Sequence, residues 1–270
     1  MRFSQKLERA WNTAETLLCV GLDPLLDRIP RPWAGEPRPV LAFNRMVIDA
    51  VGDLVCAFKP QAAHHGALAA ETDLADTIAY MRERAPHALV ILDAKRGDIG
   101  STAERYAVEA FERYDADAVT VSPFLGEETL EPFLRREDRG ALVLCRTSNP
   151  GADWIQTLDA GGEPLFVALA RRAETAWNGL GNVMLVTGAT VPGDIALIRA
   201  AAPTLPFLVP GVGEQGGDPA AVLAAGRRKD GRGLFVSASR SVLWAGGPEA
   251  IRAEAQALAR QLRFLEPVRA

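Results

Sequence analysis

The stretch Ile91-Leu92-Asp93-Ala94-Lys95-Arg96-Gly97-Asp98-Ile99 sets two carboxylates and an amine within six positions at the end of an apolar run. Successive side chains on a strand alternate faces, so Asp93 and Lys95 are expected to point the same way, with Asp98 just beyond in the following turn. Two unit charges about 4 Å apart interact by roughly 4 kcal/mol at an effective dielectric near 20. Asp93 and Asp98 are therefore expected to hold Lys95 cationic and sharply placed. A lysine held this way is a proton donor, whereas a Schiff-base nucleophile needs a lowered pKa. A structural ion-pair network at a strand end is the plain alternative, and the cluster alone does not exclude it.

A second feature suits an anion. In Pro210-Gly211-Val212-Gly213-Glu214-Gln215-Gly216-Gly217-Asp218-Pro219, the glycines let backbone amides approach a ligand, and Asp218 and Pro219 suit the start of a helix. Further on, Ser239-Arg240-Ser241 adds a guanidinium beside an amide-rich turn.

These residues need a scaffold. Short β-rich runs separate into eight: Leu17–Asp23, Leu54–Pro60, Ala88–Lys95, Ala118–Phe124, Ala141–Ser148, Asn182–Thr190, Pro206–Gly213 and Gly233–Arg240. Between them lie segments with helical spacing, such as Thr102–Tyr114, Pro164–Leu180 and Pro219–Arg228. Strand then helix, repeated eight times, is the pattern of an α/β (β/α)8 TIM barrel, here one domain spanning residues 1–270. The Pro- and Arg-rich stretch Asp27–Pro39 is read as an irregular loop inside the first unit. Active sites of such barrels lie at the carboxyl ends of the strands. Polar residues concentrate there: Asp23, Lys59, Asp93, Lys95, Ser122, Ser148, Asn149, Thr190, Gln215 and Arg240 each end or follow a run. Singly, several have ordinary explanations, since Asp23 precedes Pro24 and Ser148-Asn149-Pro150-Gly151 is a good turn. Their shared rim is the informative fact. The pairing of the seventh-run glycines with Arg240 on the eighth predicts a phosphate site.

Composition narrows the class. With 270 residues, 48% hydrophobic and a net charge of −4, the chain reads as an ordinary globular protein without a nucleic-acid footprint. Arg171-Arg172 and Arg227-Arg228-Lys229 are expected to be solvated helix faces. Cys19, Cys56 and Cys145 sit far apart in apolar runs, which predicts reduced, buried thiols and a cytoplasmic location. The start, Met1 to Arg9, is amphipathic rather than signal-like, and no apolar run is long enough to span a bilayer.

Asp93-x-Lys95-x-x-Asp98-Ile99, Phe58-Lys59-Pro60, Gly21-Leu22-Asp23 and Pro210-Gly211-Val212-Gly213-x-Gln215-Gly216-Gly217-Asp218 together resemble the orotidine 5′-phosphate decarboxylase family, over nearly the whole chain. Asp93 to Thr102 and Thr147-Ser148-Asn149-Pro150-Gly151 look like its longer bacterial branch. The resemblance implies a homodimer whose site is completed across the interface. Lys59, Asp93 and Lys95 would come from one subunit, and Asp98, Ile99 and Thr102 from the other. Asp23 and Lys59 would bind ribose hydroxyls, Ser148 the pyrimidine edge, and Gln215 and Arg240 the phosphate, with Pro210 and Ser239 lining the same end. Two departures stand out: Ser239 occupies a position often glycine, and Arg96-Gly97 replaces a bulkier pair.

The reaction implied converts orotidine 5′-phosphate into uridine 5′-phosphate and carbon dioxide, in pyrimidine nucleotide synthesis. His64 and His65 are adjacent, His87 is distant, and none has an evident ligand partner, so neither metal nor cofactor is expected. Electrostatics would then stabilise the C6 carbanion, with the remote phosphate contributing binding energy for closing the glycine loop. Barrels sharing Asp-x-Lys-x-x-Asp, the hexulose-phosphate synthases and ketogulonate-phosphate decarboxylases, use magnesium on sugar phosphates and usually carry a glutamate on the second strand. Phe58-Lys59-Pro60 stands there instead. A Schiff-base aldolase and a nucleotide-binding barrel without catalysis are the remaining readings.

Overall fold

Runs of Val, Leu, Ile and Ala that are buried on both faces build parallel rather than half-exposed sheet. β1 (Leu18–Leu22), β2 (Ala57–Pro60), β3 (Leu89–Arg96), β4 (Ala118–Val121), β5 (Gly140–Arg146), β6 (Val183–Thr187), β7 (Phe207–Pro210) and β8 (Leu234–Ala238) are almost entirely buried. In the computed structural model, which describes residues 1–212 and 216–264, they close in sequence order into a parallel barrel. Closure comes from pairing Leu18 with Val236 and Cys19 with Ser237. The sequence runs overshoot at their polar ends, because rim residues leave the ladder. The fourth stops at Val121, leaving Phe124 77% exposed.

A helix, α1 (Phe3–Ala14), precedes the barrel and shuts its amino end. Its buried stripe of Phe3, Leu7, Ala10 and Trp11 follows helical spacing. The Phe3 ring fills the space over Gly140, where an added Cβ would sit 2.3 Å from it. Trp11 Nε1 donates to the Leu234 carbonyl at 3.0 Å. Seven of the crossovers use α2 (Pro39–Val51), α3 (Glu71–Arg84), α4 (Gly100–Val108), the one-turn α5 (Glu131–Leu134), α6 (Leu165–Arg172), α7 (Pro192–Ala201) and α8 (Pro219–Gly226); α9 (Pro248–Gln261) follows β8.

Three expectations need correction. Asp27–Pro39 is not uniformly irregular: it holds a 3-10 turn, Leu26–Arg28, and a short helix, Arg31–Ala34. Trp33 there meets Phe43 edge-on at 6.5 Å, and Phe43 stacks on Trp244 at 5.3 Å. The helices foreseen at Thr102–Tyr114 and Pro164–Leu180 end early and widen into π-helical turns, Glu109–Arg113 and Ala173–Trp177. Arg228 is not on a solvated helix face; it lies beyond α8 with its guanidinium over the Trp11 ring and ion-paired to Glu8 and Asp230. Arg171 and Arg172 are exposed, paired with Glu163 and Glu127. The three cysteines are free and buried as expected.

Candidate active site

The carboxylate of Asp93, only 6% exposed near the end of β3, is the centre of the rim. Its Oδ1 accepts from Lys95 Nζ at 2.5 Å and from Thr120 Oγ1 at 2.9 Å. Its Oδ2 accepts from Lys59 Nζ at 2.9 Å and from Gln61 Nε2 at 3.0 Å. Burial alone would raise this carboxyl, but the two ammonium groups outweigh it and hold Asp93 well below the usual carboxylate range. Burial likewise disfavours charge on Lys59, yet Asp23 and Asp93 push its pKa above the ordinary lysine value.

Strand alternation does not by itself bring Lys95 to Asp93. The β3–β4 register shifts between Leu92 and Arg96, and Lys95 takes a left-handed backbone with φ of +47°. Such a conformation in a non-glycine residue costs of order 1 kcal/mol or more and persists only where its surroundings hold it.

Asp23 completes the cluster. Its Oδ1 is buried without a hydrogen-bond partner, 3.8 Å from Lys59 Nζ. The Asp23 side chain is nonetheless 20% exposed and lines a cavity, so its carboxylate can accept from a hydroxyl outside the chain. Asp23, Lys59 and Asp93 line a cavity of about 180 Å³ together with Pro210, Ser239 and Arg240. The serine at 239 is accommodated because residue 21 is glycine: a Cβ there would fall 1.9 Å from Ser239 Oγ. In the glycine segment Gly217 N donates to Gly211 O at 3.1 Å. Asp218 caps α8 through Ala220 N, as its position before Pro219 foretold. Gln215 lies outside the described residues.

The other expected residues stand apart. Asp98 does not hold Lys95 within the chain; its Oδ1 accepts from its own neighbour, Ile99 N, at 2.8 Å. The turn after β3 leaves Asp98 half-buried, with Ile99 61% exposed and Thr102 also exposed. Ser148 follows β5 on the same rim, outside the cavity, with its backbone against Gly188.

Two neighbours of Asp93 were not anticipated. Gln61 is two residues after Lys59, hence on the same strand face, which was a readable signal. Thr120 is the polar residue inside Ala118-Val119-Thr120-Val121, and a hydroxyl in so apolar a strand must find partners. Among the described residues, no three His, Cys, Asp or Glu side chains converge as a metal site, and no helix is long and apolar enough to cross a membrane.

Comparison with known proteins agrees with this geometry. The family model for orotidine 5′-phosphate decarboxylase / HUMPS matches residues 16–255. The orotidine 5′-phosphate decarboxylase of Cellvibrio japonicus is 51% identical over 265 residues, covering 97% of each chain. That of Azoarcus is 49% identical over 263 residues, again 97% of each. Among solved structures, the OMP decarboxylase of Leishmania donovani superposes with a TM-score of 0.85 at 38% identity, covering 98% of this chain and 100% of that one.

Proposed function

The chain belongs to the orotidine 5′-phosphate decarboxylase / HUMPS family, and from that premise we propose how its rim turns orotidine 5′-phosphate into uridine 5′-phosphate and carbon dioxide in pyrimidine biosynthesis. The relatives at about half identity over 97% of the chain are decarboxylases by name, which favours this activity over a magnesium-dependent sugar-phosphate reaction.

The observation that carries the mechanism is the Asp93 carboxylate saturated by Lys59, Lys95, Thr120 and Gln61. Held ionised, Asp93 crowds the substrate carboxylate and favours breaking of the C6–carboxylate bond. The electron pair left on C6 has no adjacent π-acceptor, so the Lys95 ammonium stabilises it and then delivers a proton to C6. Lys95 is 48% exposed, so its ammonium can regain a proton from water. The Asp23 carboxylate and the Lys59 ammonium take the ribose hydroxyls, Arg240 and Gln215 the phosphate, and Ser148 the pyrimidine edge. Neither metal nor cofactor takes part in this scheme.

Asp98, Ile99 and Thr102 are assigned to the site of a second subunit. The exposure of Ile99 and Thr102 supports this, as does an apolar hollow of about 470 Å³ lined by Pro123, Phe124, Leu165, Phe166 and Leu169 near the same rim. The buried free thiols support a cytoplasmic location.

Two experiments test these readings. Orotidine 5′-phosphate mixed with purified protein and excess chelator should lose its orotate absorbance; an unchanged spectrum would remove the metal-free decarboxylase assignment. Mixing inactive Lys95→Ala and Asp98→Ala proteins should restore about a quarter of wild-type activity through heterodimers carrying one intact site. No recovery after subunit exchange would place the whole site in one chain.

A further inference from the structure

We propose that Thr120 is a positioning residue for the reaction, whose hydroxyl fixes Lys95 and Asp93 relative to each other. The inference rests on the roles given above to those two residues.

A threonine hydroxyl has one proton to donate and two lone pairs to accept with. Thr120 Oγ1 accepts from Ala94 N at 3.0 Å and from Lys95 N at 2.8 Å. Both lone pairs are thereby occupied, so its proton goes to Asp93 Oδ1 at 2.9 Å. The direction of all three bonds follows without any freedom in the rotor. Thr120 is 1% exposed, so water does not substitute for any of them.

The two amides held by Thr120 flank the point where β3 leaves its register and Lys95 turns left-handed. In a regular parallel ladder successive amides face opposite neighbours, so only the Ala94 amide would turn to β4 and that of Lys95 would turn to β2. Here both turn to the one side chain from β4, and the bulge that it stabilises directs the Lys95 ammonium back onto Asp93 Oδ1. The same hydroxyl then bonds that oxygen. One atom thus sets the backbone of the proton donor and the orientation of the carboxylate it works against. Valine, of nearly the same shape, supplies neither function and takes from two part-buried amides their common acceptor.

The test compares Thr120→Val and Thr120→Ser with wild type in turnover, uridine 5′-phosphate affinity and thermal melting. A misplacement of about 1 Å between reacting groups costs on the order of 10²-fold in rate. Thr120→Val is therefore expected to lose about 10²-fold in kcat with little change in product affinity, since phosphate and ribose contacts lie elsewhere. Thr120→Ser, which keeps the hydroxyl and loses the methyl, should stay within about threefold of wild type, the conservative variant rescuing the defect. Near-normal kcat in Thr120→Val overturns the proposal. So does an equal loss in both variants, which assigns the effect to packing of the methyl group. Should Thr120→Val fail to fold, Thr120→Ala removes the same hydroxyl, and wild-type kcat in that protein overturns the proposal equally. Wild-type protein inactive on orotidine 5′-phosphate would instead sink the functional reading on which this rests.

Discussion

Asp93 and Asp117 sit at opposite ends of the barrel in nearly the same local chemistry. Each is buried, each lies between two cations, and in each case those cations outweigh burial to hold the carboxyl below its ordinary range. Asp117, just ahead of β4, accepts from Lys6 of α1 at 2.9 Å, from Arg82 of α3 at 2.6 Å and from Val90 N at 3.0 Å. It ties the amino-end plug and a crossover helix to the sheet. Asp93 ties nothing distant together. Its partners lie on its own and the two adjacent strands or just past their ends, and the one on its own strand, Lys95, stands on a left-handed backbone and is 48% exposed. A buried carboxylate between cations is therefore not itself a sign of catalysis. The distinguishing marks are a cation, Lys95, that is 48% exposed and itself stands on a left-handed backbone, where Lys6 and Arg82 are only 21% and 30% exposed on helices, and a second carboxylate, Asp23, 3.8 Å from Lys59 on the same cavity. They occur at the carboxyl ends of the strands, where barrels carry chemistry, and the Asp117 cluster occurs where they carry stability.

Substitutions can break or sharpen this contrast. Lys95→Ala should have the largest effect, lowering kcat by about 10³-fold or more while uridine 5′-phosphate still binds. A variant with near-normal turnover would remove Lys95 from the proton-donor role. Arg240→Ala should lower kcat/KM by about 10²-fold, the worth of one or two charge-assisted hydrogen bonds to phosphate. Steady-state kinetics with the nucleotide and with orotidine lacking its phosphate would check it, since the phosphate-free substrate should not register the change. Asp117→Asn should act on the fold, lowering stability by about 2 kcal/mol, below the range for fully buried pairs because Lys6 and Arg82 are partly exposed. In a chain of this size that corresponds to a melting point roughly 3–4 °C lower.

The smallest effect is a pH dependence. The folded pKa of Asp117 lies below its unfolded value near 3.9. Its stabilisation is thus present above that value and is lost as pH falls towards the folded one. Melting points between about pH 5 and pH 3 should fall more steeply in wild type than in Asp117→Asn. Parallel curves would show that Asp117 contributes no such linkage.

Much of the barrel was legible because its strands are buried on both faces and its helices are amphipathic, so hydrophobic period and length separate them. The polar rim was legible as a position along each run. What escaped depends on geometry that spacing cannot encode. The left-handed turn at Lys95 and the shift in the β3–β4 ladder arise from a side chain on another strand, Thr120, far away in sequence. Asp98 was placed beside Lys95 by sequence proximity, whereas its carboxylate is used on Ile99 N. Arg228 reads as a surface charge until Trp11 and Glu8 from α1 are folded against it.

The contrast between the two ends is tested most directly by the kcat of Asp117→Asn on orotidine 5′-phosphate, measured well below its melting point. The account predicts a value within about twofold of wild type, because distant, independently connected clusters act separately. A loss approaching that of Lys95→Ala in the folded protein would contradict it.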